Sequence, residues 1–275
     1  MIKRIVIIVL CLITVITVSW HNATQVNPKQ LNIREEKIVS GKIDEDLDGL
    51  LIACFSDLYY GEFIDKSFMD DVINKISSFK PDVIIFGGDL FPASFTEGQY
   101  EELKQCLSKL KARYGKYAVL GDSDHSSKDK STALLEECGF RILYNEKKQI
   151  GIDINSSFDL VGIDSLIGGD PDVASSFSTV DPATFTLAVT HCPDLFDQTE
   201  GYSCDYMFAG HSRGGQIYLP LINIFFREAG CEKYYHGKTN RNGSTLDITN
   251  GVGRHEKDAR LLADAEIVLY TLKAQ

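Results

Sequence analysis

Five short apolar runs in this 275-residue chain each end in a turn that carries aspartate or histidine. Ser56-Asp57 follows Phe55, Gly87-Gly88-Asp89 follows Phe86, and Gly121-Asp122-Ser123-Asp124-His125 follows Leu120. Thr190-His191 follows Val189, and Gly210-His211-Ser212-Arg213 follows Ala209. Carboxylate oxygens mixed with imidazole nitrogens suit Mn²⁺, Fe or Zn²⁺, whereas Ca²⁺ prefers oxygen alone. A single aspartate after a strand is usually a turn former or helix cap. Five such ends in one chain favour a shared metal site instead.

The elements that must position these residues can be read from periodicity. Strand-like runs lie at 50–55, 83–86 and 117–120, separated by helical stripes at 68–79 and 100–110 and followed by a third at 132–138. Successive strand-helix-strand units imply a parallel sheet core, in which sites assemble at the carboxyl ends of strands. More closely spaced strands follow at 142–144, 160–163, 184–189 and 206–209, with a closing strand at 267–272.

The order and spacing of these strand ends resemble the calcineurin-like metallophosphoesterases, especially a membrane-anchored branch with the signature GHTHGGQ, from about residue 50 to 272. The resemblance implies an α/β fold, a four-layer α/β/β/α sandwich of two mixed sheets, with a two-metal site at the sheet edges. By the same resemblance Asp57 stands for the first metal aspartate and Asp89 for the bridging one. His191 and His211 stand for later metal histidines, and Asp122 replaces a metal asparagine. The motifs also depart from the family pattern. Tyr59 and Arg213 replace two histidines of the first metal, and Ser123 replaces the histidine that protonates the leaving group.

Sorted by metal, one site keeps Asp89, Asp122, His191 and His211 as ligands, while the other keeps Asp57 and shares Asp89. One divalent ion is expected, or two if Tyr59 or other groups rebuild the first site. Arg213, a fixed cation with a planar fork of donors, is expected to border the missing ion's place, neutralise Asp57 and offer donors to a phosphate oxygen. Tyr59 either hydrogen-bonds that phosphate or fills the vacated volume. His125 is the remaining candidate proton donor, provided the loop brings it round; a solvated loop histidine is its plain reading. The implied function is metal-dependent hydrolysis of a phosphomonoester, phosphodiester or phosphoanhydride, with a phosphorylated small molecule or lipid as substrate. The rival reading is a non-catalytic relative that binds a metal, a phosphorylated ligand or an envelope protein.

Lys3 and Arg4 precede an apolar run over 5–20, which reads as a signal anchor with the rest of the chain outside the membrane, or as a signal that is cleaved and releases it. Residues 21–46 read as a linker, and 47–275 as the folded domain. Thirty-nine acidic residues against 28 basic ones leave a net charge of −11, which offers no general surface for a nucleic-acid backbone. Residues 219–226 form an apolar stretch that reads as a core helix or sheet cover, with a bilayer contact as the alternative. Oligomeric state and cysteine pairing stay open.

Overall fold

Alternation within the strands decides the layering. In β2 (Leu51–Phe55) and β3 (Val83–Phe86), Ala53, Phe55, Ile84 and Phe86 face one core while Ile52, Cys54, Val83 and Ile85 face another. A strand buried on both faces in this way sits inside a sheet covered on both sides. The computed structural model describes residues 2–153, 156–219 and 227–275. Its two mixed sheets have six strands each.

The first sheet runs β1 (Leu31–Ser40), β12 (Ala265–Ala274), β2, β3, β4 (Lys116–Ala118) and β5 (Phe140–Ile142). The second runs β10 (Gly237–Arg241), β11 (Ser244–Ile248), β9 (Tyr206–Ala209), β8 (Thr186–Thr190), β7 (Ser157–Ile163) and β6 (Glu146–Gly151). Three cores separate four layers. Helices α2 (Lys66–Phe79), α3 (Glu97–Leu107) and α5 (Lys128–Glu137) bury Met69, Val72, Ile76, Leu103 and Leu134 against the first sheet. Phe158, Leu160, Leu187, Val189 and Phe208 fill the space between the sheets. On the outer face of the second sheet, α6 (Val173–Phe177) and a 3₁₀ segment (Pro193–Thr199) cover Val161, Ala188 and Met207. The expected four-layer arrangement is therefore present.

Helix limits follow local chemistry. Asp65 caps α2 by accepting from Phe68 N, and Lys80 ends it in the left-handed region. Thr96 and Gln99 form a reciprocal capping box at α3.

The boundary of the folded part differs from the sequence expectation. Residues 31–40, read as linker, form β1, which pairs in parallel with β12 along its whole length. Its charged residues disguise it. Arg34 projects onto Glu266 (3.1 Å) and the fully buried Asp247 (2.9 Å), so charge here marks an internal polar network. Strands β6 and β10, also unforeseen, are sheet edges with the polar sequences EKKQIG and GKTNR, as edge strands tend to be. Helix α1 (Ile2–His21) is long and apolar enough to cross a bilayer and buries none of its residues. The apolar stretch at 219–226 lies outside the described residues except for Leu219.

Candidate metal centre

Asp57, Asp89, Asp122, His191 and His211 converge from the ends of β2, β3, β4, β8 and β9. Their ligand atoms form two groups. Asp122, His191 and His211 lie within 4.8 Å of one another, as do Asp57, Asp89 and His191. The residue common to both is His191, whereas the family resemblance assigns the bridging place to Asp89.

The backbone is bent to bring them together. Asp57, Asp89 and His211 have φ of 57°, 64° and 68°, left-handed values that cost a non-glycine residue about 1–3 kcal/mol and persist where the surroundings over-determine them. Close approach also requires glycine between the strands. A Cβ on Gly121 would collide with Asp89 Oδ1, and one on Gly210 with Ser56 Oγ. Gly121→Ala is accordingly expected to weaken metal binding by about tenfold or more, read by titration with Mn²⁺ against the parent chain.

The donor set fits a cation. His191 Nε2 lies 3.1 Å from Asp89 Oδ2, and His211 Nδ1 lies 3.1 Å from Asp122 Oδ2. Both nitrogens are buried, yet neither has an aligned hydrogen bond. Two ligand atoms that share an ion at about 2.1 Å each stand roughly 3.0–3.4 Å apart and aim at the ion, not at each other. The second nitrogen of each ring is fixed by a backbone carbonyl, His191 Nδ1 to Gly87 O at 2.7 Å and His211 Nε2 to Ala229 O at 2.7 Å. Such outer partners orient metal-ligating imidazoles.

Electrostatics point the same way. Burial works against charge on both imidazoles, but the carboxylates outweigh it. Asp89, Asp57 and Asp122 hold His191 well above the usual histidine range, and Asp122 raises His211 to about 11. Asp89 is held below the usual carboxylate range although burial opposes it, because His191, Tyr59 and Ser123 stabilise the anion. Asp57, by contrast, is pushed up by burial. The pocket draws positive charge onto itself.

Beside Asp89 the space is filled by Tyr59 and Arg213. Tyr59 Oη donates to Asp89 Oδ2 and accepts from Arg213 Nη1 at 3.1 Å. The guanidinium lies over the Tyr59 ring at 5.5 Å, and the same ring stacks on His255 at 4.5 Å. Arg213 was expected to neutralise Asp57 directly. It acts on Asp57 only at longer range, because its carboxylate partner is Glu228 at 2.6 Å and its path to Asp89 runs through Tyr59. Tyr59 thus links the Arg213 guanidinium to the Asp89 carboxylate.

His125 is held in a carboxylate pair outside the two ligand groups. Its Nε2 is paired with Asp164 Oδ1 at 2.9 Å, and the ring packs near Tyr144, outside both ligand groups. The loop forms the short helix α4 (Asp122–His125), at whose end His125 meets Asp164. Ser123 instead supports the centre, its N and Oγ donating to Asp89 Oδ1 at 2.9 and 2.8 Å. Asp124 accepts from the backbone N–H groups of Asp89, Leu90 and Gly121, fixing the turn.

Three supporting residues escaped the sequence reading. Ser165 Oγ donates to Asp122 Oδ1, and the Cys192 thiol lies 3.5 Å from the same oxygen. The end of β7, Asp164-Ser165, repeats the strand-end pattern and was the available signal. Arg260 is wholly buried and donates to the carbonyls of Asn250 (2.9 Å), Gly251 (3.2 Å), Ala263 (2.6 Å) and Gly253. It holds the loop whose Gly253 N donates to Asp57 O at 2.6 Å. Nothing in its local sequence marks it. All seven cysteines are free thiols.

No protein-family model matches the chain. Among curated proteins, it is 27% identical over 258 residues to the metallophosphoesterase YkuE of Bacillus subtilis, covering 93% of this chain and 90% of that protein. It is 29% identical over 210 residues to the phosphodiesterase YaeI of Escherichia coli, covering 74% of each. It is 25% identical over 251 residues to LpxG of Chlamydia trachomatis, a UDP-2,3-diacylglucosamine pyrophosphatase, covering 74% of this chain and 75% of that one. Among solved structures, TT1561 of Thermus thermophilus superposes with a TM-score of 0.47 at 9% identity, covering 74% of this chain and 90% of that one. The curated relatives of this chain are metallophosphoesterases, and that kinship supports the calcineurin-like resemblance carried by its strand ends.

Proposed function

We propose that the chain is a hydrolase of a phosphoester or phosphoanhydride that works with one divalent metal ion, tethered on the outer side of a membrane by α1. The observation that carries the reading is the pair of buried imidazole nitrogens, His191 Nε2 and His211 Nδ1, each facing a carboxylate oxygen at 3.1 Å without an aligned hydrogen bond. The phosphoesterase names of the relatives support the reaction class.

Asp89, Asp122, His191 and His211 would hold the ion, which when bound supplies a Lewis acid for a phosphoryl oxygen and activates water. In the hydrolysis, water forms the new P–O bond and loses a proton to solvent, and the bond to the leaving oxygen breaks as that oxygen takes a proton. Asp122 and Asp89 are both held below the usual carboxylate range against the pull of burial, so a substrate anion depends on the ion and Arg213 for attraction. Arg213 Nε is buried without a hydrogen-bond partner, so one donor of the guanidinium is unspent. His191 and His211 are fixed through Gly87 O and Ala229 O, so their rings need no reordering when the ion binds. Ser123 has no proton to give near neutral pH, and His125 is engaged by Asp164. The proton of the leaving group therefore comes from solvent, and turnover should favour leaving groups of low pKa.

The divergent first site, with Tyr59 and Arg213 in place of imidazoles, is the reason for proposing one ion. The test is metal content per chain of the purified protein after supply of Mn²⁺, Zn²⁺ and Fe, followed by a Mn²⁺-dependent phosphodiesterase assay. About one ion, with activity abolished in Asp89→Asn, is the expected result. His211→Ala should bind the ion at least about 100-fold more weakly, checked by equilibrium dialysis. No bound ion would leave the non-catalytic binding protein as the better reading.

A further inference from the structure

The segment that leaves α1 is built into the rim of the site. From Asn22 to Lys29 the backbone stays helical, first as a π turn (Asn22–Val26) and then as a 3₁₀ turn (Asn27–Lys29). The loop at 254–260 grips this segment with one side. Arg260 N donates to Ala23 O at 2.8 Å, Asn27 Nδ2 donates to Arg260 O at 3.1 Å, and Arg254 donates to Pro28 O. Ala23 and Pro28 are buried by the contact.

With its other side the same loop walls the cavity next to Arg213. Gln216 Nε2 donates to the carbonyls of His255 (3.2 Å) and Lys257 (2.9 Å), and His255 N donates back to Gln216 Oε1 at 3.0 Å. The cavity measures about 490 Å³. Its wall combines Arg213, Arg227 and Lys257 with the carboxylates Glu228 and Glu256 and with apolar Ile217, Leu219 and Tyr235, and Glu228 already pairs with Arg213. Three cations against two carboxylates, set beside apolar side chains, suit the region where a phosphorylated head joins a hydrocarbon chain.

The height of this cavity above a membrane follows from the chain. Trp20, which prefers the membrane–water interface, ends the apolar run. Eight residues of helix from 22 to 29 rise about 12 Å at roughly 1.5 Å each, and the headgroup layer is about 5–8 Å deep. Leu262, beside the loop, is 63% exposed and Val26 36% exposed, so this end of the domain presents apolar side chains as well.

We propose that the docked junction holds the cavity at the bilayer surface, where it takes the phosphoester head of an amphiphile that remains embedded in that membrane. This rests on the phosphoesterase reading and deepens it by naming the substrate class.

The experiment uses the full chain in phosphatidylcholine vesicles with Mn²⁺. Hydrolysis of hexadecyl 4-nitrophenyl phosphate, which sits in the bilayer, is compared with that of methyl 4-nitrophenyl phosphate in the water. A second protein carries a 20-residue Gly/Ser insert between His21 and Asn22, which leaves the junction docked but lets the domain stand off by roughly 25 Å. The expected result is that the embedded substrate is preferred by the parent chain and loses about tenfold or more with the insert, while the soluble substrate changes by less than about twofold. A Leu262→Trp substitution in a Trp20→Phe background should also be quenched by headgroup spin-labelled lipid in the parent and not with the insert. Hydrolysis of the soluble substrate without preference for the embedded one, or an embedded rate unchanged by the insert, overturns the proposal alone. Turnover of neither substrate overturns the phosphoesterase reading and this proposal with it.

Discussion

Replacing Tyr59 and Arg213 together by histidine is expected to raise metal content from about one ion per chain to about two, and phosphodiesterase turnover by about tenfold or more. Tyr59 Oη occupies Asp89 Oδ2, and Arg213 holds the phenol in place. Their removal frees that oxygen, and Asp57 Oδ1, buried without a hydrogen-bond partner, is already available. Two imidazoles would then complete a second donor set beside Asp57, and two ions can clamp both the attacking and the leaving oxygen. Glu228, which loses its arginine, is half exposed and can turn to water. Metal analysis of the double variant checks the claim, and a content that stays at one would mean that Tyr59 and Arg213 are not what excludes the second ion. Tyr59→His alone should give little, because Arg213 would be left facing the new ion.

Asp247→Ala should destabilise the fold by about 3–5 kcal/mol, the largest loss expected from a residue outside the metal centre. Asp247 is fully buried in β11 and accepts from Arg34 (2.9 Å), Tyr206 Oη (3.0 Å) and Tyr270 Oη (2.8 Å). These partners come from both sheets, so one carboxylate closes the inter-sheet core at its polar end. Without it, two phenols lose their acceptor and a largely buried guanidinium loses one of its balancing charges. Unfolding calorimetry should show a fall in Tm of roughly 10 °C, at about 2–4 °C per kcal/mol for a chain of this size. Asp247→Asn keeps an acceptor and should lose about half as much. A change below about 1 kcal/mol for alanine would show that water takes over the carboxylate's role.

The central strands and the Asp and His residues that cluster at their ends were legible because both are short-range signals. Runs such as VIIF at 83–86 can be little but buried strand, and a Gly-Gly-Asp after them can be little but a strand-end turn. Strands β1, β6 and β10 were hidden because edge positions tolerate charge, and in β1 the charges answer partners more than 200 residues away. Arg260 was hidden for another reason, since its acceptors, although only 3 to 10 residues away, are backbone carbonyls with no sequence signature. Arg213 was legible as an odd residue in its motif, but its partner Glu228 lies 15 residues on. Which carboxylate a buried arginine meets is decided by packing. His125 misled for a related reason, since its spacing from Asp122 says nothing of Asp164, which captures it.

The pairing of β1 with β12 also sets how the domain answers a pull. Force on the membrane segment enters the sheet at Leu31, the first residue of β1, and runs along a parallel ladder that extends to Ser40 against Ala274. Parallel strands drawn lengthwise must slide, so their evenly spaced bonds share the strain instead of opening one at a time. The end of the domain that joins α1 is therefore its mechanically resistant end. A pull on α1 should distort the junction at 22–29 well before it reaches Asp57 and the strands that carry the candidate ligands.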